Sequence, residues 1–309
     1  MLSIKYIRQN EDIVMQSLKS KKSEIDLSII LNFDKQRRDI IQEADLMKAN
    51  RNTVSELIAT KKKNSENADN EITNMRKVSE SIKALDVKLK DVTNKLNDLL
   101  MYVPNIVHHS VPLGMNPDEN IVIREWGEKP NENLNYNDHL KICNELDLVD
   151  FVRASKMSGS GFPLYKGLGA KLERSLINYM LDFHIQKHNY SELLPPFLTT
   201  RDATTTTGQL PKFEEDMYHI PSDDLFCIPT AEVPVTNLYN NEILSEKHLP
   251  LKYVAFSACF RREAGSYGKE THGLLRVHQF NKVELVKFVK PENSYNELEL
   301  LLKDAEEIL

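Results

Sequence analysis

Apolar residues recur every three or four positions through most of the first hundred residues, the spacing that lays one face of a helix against a partner. The pattern is short over residues 4–18 and long after it. Ile30, Phe33, Arg37, Ile40, Ala44, Met47, Arg51, Val54 and Ile58 form one series, with arginine twice in the seam. Ala68, Ile72, Met75, Val78, Ile82, Leu85, Leu89, Val92, Leu96 and Leu99 form a second, and the polar run KKKNSENADN between them predicts a turn. Two such arms joined by so short a turn predict an antiparallel coiled-coil hairpin, each arm roughly 45 Å long at 1.5 Å per residue.

From Pro104 the pattern breaks. NIVHHSVPLGMNPDEN brings in prolines, asparagines and a glycine, which predicts a linker and divides the chain into a helical arm, residues 1–105, and a second domain, residues 106–309. In the second domain IVIREWGE predicts a strand and residues 168–188 an amphipathic helix ending at Asn189. SELLPPFL predicts a strand beside a proline, and TTTTGQLPKFEEDMY, polar with Gly208 and Pro211, a loop near the functional site. At residues 253–289 two apolar-rich runs flank the segment AGSYGKETHG, which predicts a long β-hairpin with a loop too long for a tight turn. Alternate strand residues share a face, so Arg261 and Glu263 point one way on the first run, as do Arg276, His278, Phe280 and Glu284 on the second. The same rule applied to IPTAEVPVTN turns Thr230 and Glu232 to one side. The fold class is α+β: an antiparallel helical hairpin, then an antiparallel sheet flanked by helices.

Composition adjusts this picture at a few points. A 309-residue chain that is 40% hydrophobic has enough apolar mass for a real core. No apolar run approaches the roughly 20 residues that span a bilayer, and charges come too early for a signal peptide, so no membrane partner and a cytoplasmic location are expected. Cys143, Cys227 and Cys259 are odd in number and widely spaced, which predicts reduced thiols, and the adjacent His108 and His109 suggest no metal site. The net charge of −6 conceals a slightly basic arm, with 14 Lys and Arg against 12 Asp and Glu over residues 34–100. Lys61, Lys62 and Lys63 concentrate charge at the tip, where a phosphate backbone or a protein partner could be met. SGSGFPLYKGLGAKL is glycine-rich but fits neither the dinucleotide nor the Walker pattern.

The hairpin carries the candidate chemistry. A guanidinium matches phosphate, a carboxylate accepts from an amino group, and a phenylalanine offers a stacking face, so Arg261, Glu263 and Phe280 together suit ATP. The order FRRE at 260–263, then Arg276, Phe280 and Glu284, resembles motif 2 of the class II aminoacyl-tRNA synthetases. LFCIPTAEVPVTNLY and CFRREAGSYGKETHGLLRVHQFNKVE resemble the corresponding segments of the seryl-tRNA synthetases, and the likeness extends over the whole chain. It implies that serine attacks the α-phosphate of ATP to give an adenylate and pyrophosphate, and that the tRNA's terminal ribose then takes the seryl group. It implies Arg261 as the catalytic residue bridging phosphate and carboxylate, with Arg262, Glu263, Val277 and Phe280 completing the ATP site and Mg2+ sharing the phosphate charge. It assigns Thr230, Ala231, Glu232 and Glu284 to L-serine, the segment Gly265 to Gly273 to the acceptor end, and the arm to tRNA(Ser), with the selenocysteine tRNA a further acceptor. Pro196, in what resembles motif 1, implies a homodimer.

One expected part is missing. The family's third motif is glycine-rich, yet all ten glycines lie at or before Gly273, which predicts a catalytic core truncated after motif 2. The alternative expectation is an inactive fragment or paralogue that acts as a tRNA-binding or interaction protein.

Overall fold

The computed structural model describes residues 2–114, 116–128, 136–263 and 273–309, and divides into two compact units, residues 1–128 and 129–309. In the first unit two short helices, α1 (Ile4–Gln9) and α2 (Glu11–Ser20), precede a pair of long ones, α3 (Leu27–Lys63) and α4 (Asp69–Tyr102). Ser3 starts α1 and Asp26 starts α3, each side chain accepting from a backbone N–H of the first turn, which satisfies a donor the helix cannot. The two long helices form the expected hairpin. Helix α3 runs through Lys63, so the turn shrinks to residues 64–68, and 37 residues give an arm of about 55 Å rather than 45. Ile40, Ala44, Ile58, Ile82 and Val92 are buried along the seam. At its base Ile7, Val14, Leu18, Leu27, Ile30, Leu96, Leu100 and Val103 form one cluster.

Arg37 enters the seam not as an apolar substitute but as part of a polar knot. The side chain of Asp34 is fully buried and accepts from Arg8 Nη1 at 2.6 Å, Arg37 Nη2 at 3.2 Å and Arg38 Nε at 3.0 Å. Burial alone would push this carboxyl up, but the three guanidinium bonds outweigh it and hold it below its ordinary 3.8. Arg37 Nε stays buried with no hydrogen-bond partner among the described residues. IVIREWGE does not form the expected strand: residues 121–126 have no regular secondary structure, and Ile121, Val122, Ile123 and Trp126 are exposed.

The second unit begins with α5 (His139–Glu145), α6 (Phe151–Ser158) and α7 (Leu168–His188). Helix α7 has the expected bounds and stops at Asn189 in the left-handed conformation, φ 58°, which an asparagine tolerates better than most residues. The SELLPPFL segment is split by its prolines into β1 (Ser191–Leu193) and β2 (Leu198–Thr200), which join different sheets. The threonine-rich stretch expected as loop starts as a helix, α8 (Arg201–Thr206), capped by Thr200. Then come β3 (His219–Ile220), β4 (Leu225–Cys227), α9 (Glu232–Thr236), β5 (Leu251–Phe260), β6 (Gln279–Phe288) and α10 (Ser294–Glu306).

The smaller sheet has the order β2-β4-β3, all antiparallel. The other has the order β1-β5-β6 and is mixed rather than purely antiparallel, because β1 runs parallel to β5. The long hairpin is as expected, with β5 and β6 paired in continuous register from Leu251↔Phe288 to Phe260↔Gln279. Alternation along it sorts the two faces. Val254, Phe256, Val283 and Leu285 pack with Ile177, Leu181 and Ile185 of α7, while Ala255, Val286 and Phe288 pack with Ala231 and Val235 around α9.

Candidate active site

The α9 side of the hairpin opens into a cleft of about 250 Å³, lined by Gln209, Phe213, Asp216, Met217, Pro229, Thr230, Arg261, Glu263 and Arg276. Strand β6 sends Phe280, Lys282 and Glu284 to this face, since they alternate with the α7-facing Val283 and Leu285. The Arg261 guanidinium lies over the Phe280 ring, 5.1 Å from its centroid. Such a stacked arginine keeps its edge donors turned outward and available to an anion.

The strand ends one residue before the charges begin. Phe260 is the last residue of β5, and Arg261, Arg262 and Glu263 follow in irregular backbone, so strict alternation does not place Arg261 and Glu263 as the sequence led us to expect. Main-chain bonds fix this exit instead. Phe260 N–H donates to Ile228 O, Arg261 N–H to His278 O and Arg262 N–H to Asp216 O, each at 2.9 Å. Glu263 adopts φ +50°, uncommon for a residue with a Cβ, and is paired with Arg276. Arg276 and His278 likewise lie ahead of β6. His278 is held at both ends, its ring Nδ1 3.0 Å from Arg261 O and its N–H donating to Gly161 O at 2.8 Å. Gly161, φ +80°, fits beneath that ring, where an added Cβ would come within 2.5 Å of His278 Cδ2.

Thr230 and Glu232 are not on extended backbone. The chain bends at Pro229–Thr230 and Glu232 opens α9, so its carboxylate is exposed while Thr230 is buried. Their link is local: Glu232 N–H donates to Thr230 Oγ1 at 3.2 Å. Thr230 Oγ1 in turn donates to Glu284 Oε2 at 2.8 Å and accepts from Lys282 Nζ at 2.7 Å, and Lys282 also pairs directly with Glu284. Ala231 buries its side chain entirely in the core, leaving only backbone to offer a ligand, and Val277 is likewise buried. Arg262 is exposed.

Of the residues named from the sequence, Thr230, Arg261 and Glu263 line the cleft, with Phe280 stacked against Arg261 and Glu284 bonded to Thr230. Lys282 was missed although the alternation through Phe280 and Glu284 carries it. Gln209, Phe213, Asp216 and Met217 come from the TTTTGQLPKFEEDMY stretch, which its polar, glycine- and proline-containing sequence places on a loop near the site without singling out these residues. Beside the cleft Cys259 is buried, which pushes its thiol up, and the three cysteines are free. Of the loop 264–273 only Gly273 is within the described residues. In the first unit Lys61 pairs with Glu71, whereas Lys62 and Lys63 are exposed in the last turn of α3.

Residues 1–107 match the seryl-tRNA synthetase N-terminal domain, and residues 213–309 match the tRNA synthetase class II core domain (G, H, P, S and T). A serine–tRNA ligase of Carboxydothermus hydrogenoformans is 50% identical over 309 residues, covering 100% of this chain and 73% of that protein. One from Exiguobacterium sibiricum is 49% identical over 310 residues, with 100% and 73% covered. Among solved structures, seryl-tRNA synthetase from Pyrococcus horikoshii, complexed with ATP, superposes with a TM-score of 0.90 at 33% identity, over 100% of this chain and 74% of that one.

Proposed function

This chain belongs to the seryl-tRNA synthetase family, the class II aminoacyl-tRNA synthetases that act as serine–tRNA ligases, and on that premise we propose that its cleft activates L-serine with ATP. The observation that carries the reading is the convergence of the Thr230–Glu284 pair and the Arg261–Phe280 stack on one cleft. Phe280 presents a face for the adenine ring, and Glu263 and Arg262 stand where the chain turns out of β5, with Val277 packed just before β6. Arg261, the catalytic residue in this reading, neutralises charge on the α-phosphate and orients the serine carboxylate, which is already ionised and needs no base. Attack forms the serine–phosphate bond and expels pyrophosphate. Thr230, Glu284, the exposed Glu232 carboxylate and the Ala231 backbone supply polar partners for serine's ammonium and hydroxyl, and a site built for a hydroxyl rejects an analogue that lacks it. Mg2+ enters this reading with the triphosphate, whose charge it would share.

In the same reading the helical hairpin, residues 1–105, meets tRNA(Ser), with exposed Lys62 and Lys63 at its tip, and residues 106–309 carry the catalysis. The selenocysteine tRNA shares this acceptor chemistry. A homodimer is supported by the exposed apolar stripe Leu168, Leu172, Leu176 and Tyr179 along α7, with Leu194 beside Pro196. No helix among the described residues is long and apolar enough to cross a membrane; a cytoplasmic site of action belongs to the proposed reading. The test is serine-dependent exchange of labelled pyrophosphate into ATP by this 309-residue chain and by a longer version. Exchange that is abolished by Arg261→Ala supports the reading. Absence of exchange from both chains, with tRNA still bound, favours the alternative of a tRNA-binding protein.

A further inference from the structure

Lys282 has no role in the reaction as described, yet its ammonium is seated on the two side chains proposed to receive serine. Thr230 Oγ1 has one proton to give and two lone pairs to offer. Its proton goes to Glu284 Oε2 at 2.8 Å, and its lone pairs are taken by Glu232 N–H at 3.2 Å and Lys282 Nζ at 2.7 Å. The hydroxyl is therefore saturated from within the protein. Glu284 is also engaged, because Lys282 pairs with it directly. The bond from Glu232 N–H is fixed by the backbone turn that opens α9, whereas Lys282 Nζ ends a flexible four-carbon stem with a side chain still about one-third exposed. Of the three partners it is the one able to leave.

We propose that Lys282 is an internal competitor for the ammonium subsite, a specificity-determining residue that a substrate ammonium must displace from Thr230 and Glu284. The inference rests on the serine-activating reading above and deepens it. An α-ammonium and a lysine ammonium ask the same hydroxyl and carboxylate for the same bonds, so only one can hold them. A ligand with a hydroxyl or hydrogen in place of the ammonium cannot replace the ion pair with Glu284 and leaves Lys282 seated. The site thereby discriminates against ligands without an ammonium, with some serine affinity lost in return. The displaced side chain has solvent to swing into, since it is already partly exposed.

The experiment is calorimetric titration of the 309-residue chain and its Lys282→Met and Lys282→Gln variants with L-serine, with glycerate, which carries a hydroxyl in place of the ammonium, and with ATP. If Lys282 occupies the subsite most of the time, removing it tightens L-serine about three- to tenfold, as the reciprocal of the competent fraction. Lys282→Gln, which keeps a donor without the charge, falls between. Glycerate gains no such affinity, and ATP binding is unchanged. Serine affinity that is unchanged or weaker in a Lys282→Met protein with wild-type circular dichroism overturns the inference and makes Lys282 a support for Glu284. Binding of serine by the wild-type chain tests the underlying reading separately: if none of the three proteins binds serine, both are overturned, whereas binding that Lys282→Met leaves unimproved removes only the competitor.

Discussion

Asn in place of Asp34 keeps the shape of the side chain while removing the charge that three arginines address. The carboxylate is fully buried and accepts three hydrogen bonds, two on Oδ2 from Arg8 and Arg38 and one on Oδ1 from Arg37. An asparagine retains one acceptor oxygen and turns an NH2 toward a guanidinium, so at least one bond becomes a donor–donor contact. Breaking a buried pair costs about 3–5 kcal/mol. Here the arginine side chains are 38%, 29% and 49% exposed and recover hydration when released, which lowers the expected cost to about 2–3 kcal/mol. With a urea slope of about 2 kcal/mol/M, the helical transition followed by circular dichroism should move down by roughly 1–1.5 M. The folded pKa is depressed, so this stabilisation is present above the ordinary 3.8 and lost as pH falls through the lower folded value. A midpoint shift below roughly 0.3 M at pH 7, or a difference that persists undiminished in strong acid, would refute the argument.

Other perturbations follow from the second unit. Gly161→Ala forces a Cβ into the His278 ring at φ +80° and should cost about 1–2 kcal/mol in melting experiments while weakening ATP binding through the displaced Arg261 backbone; a full-strength ATP titration would contradict this. Thr230→Val removes the hydroxyl shared by Glu284, Lys282 and Glu232 N–H, and should raise the serine KM at least tenfold with little change in the ATP KM, measured by pyrophosphate exchange. Hydrogen bonds from Lys187 and His188 hold Glu307 down to about 2, so its stabilisation is present above pH 4.5 and fades as pH falls toward 2. The melting difference between wild type and Glu307→Gln should shrink over that window, and a constant difference would count against it. His184 is lowered by burial and then by His188, so protonation opposes folding: stability should decline as pH drops below 6.5, and His184→Phe should flatten that decline.

The helices and the long hairpin were legible because each obeys one period over many residues. Residues 168–188 kept helical spacing up to an asparagine that could end it, and the β5–β6 register spans ten residues on each strand. Short elements were not legible. IVIREWGE has a strand's composition, but composition alone does not build a ladder, and residues 121–126 take no regular secondary structure. Thr230 and Glu232 were placed on one side by assuming extended backbone, yet the bend at Pro229 and the start of α9 make the backbone N–H of Glu232, not its carboxylate, the group that meets Thr230. Asp34 carried no signal of its importance, because two of its partners are helical neighbours and the third, Arg8, comes from another helix.

The two-sided sorting of β6 constrains how relatives of this chain can change length. Phe280, Lys282 and Glu284 face the cleft while Asn281 reaches Glu173 of α7 and Lys287 reaches Glu297 and Asp304 of α10. A single-residue insertion or deletion within β6, between Phe280 and Lys282, would put the residues beyond it on the wrong faces, driving Glu284 among the apolar residues of α7 and Val283 into the cleft. A two-residue change restores the parity but slides Glu284 past Thr230 by nearly 7 Å. Neither repair returns both, so length variation among homologues is expected to accumulate in the connection between the strands and to spare β6 itself.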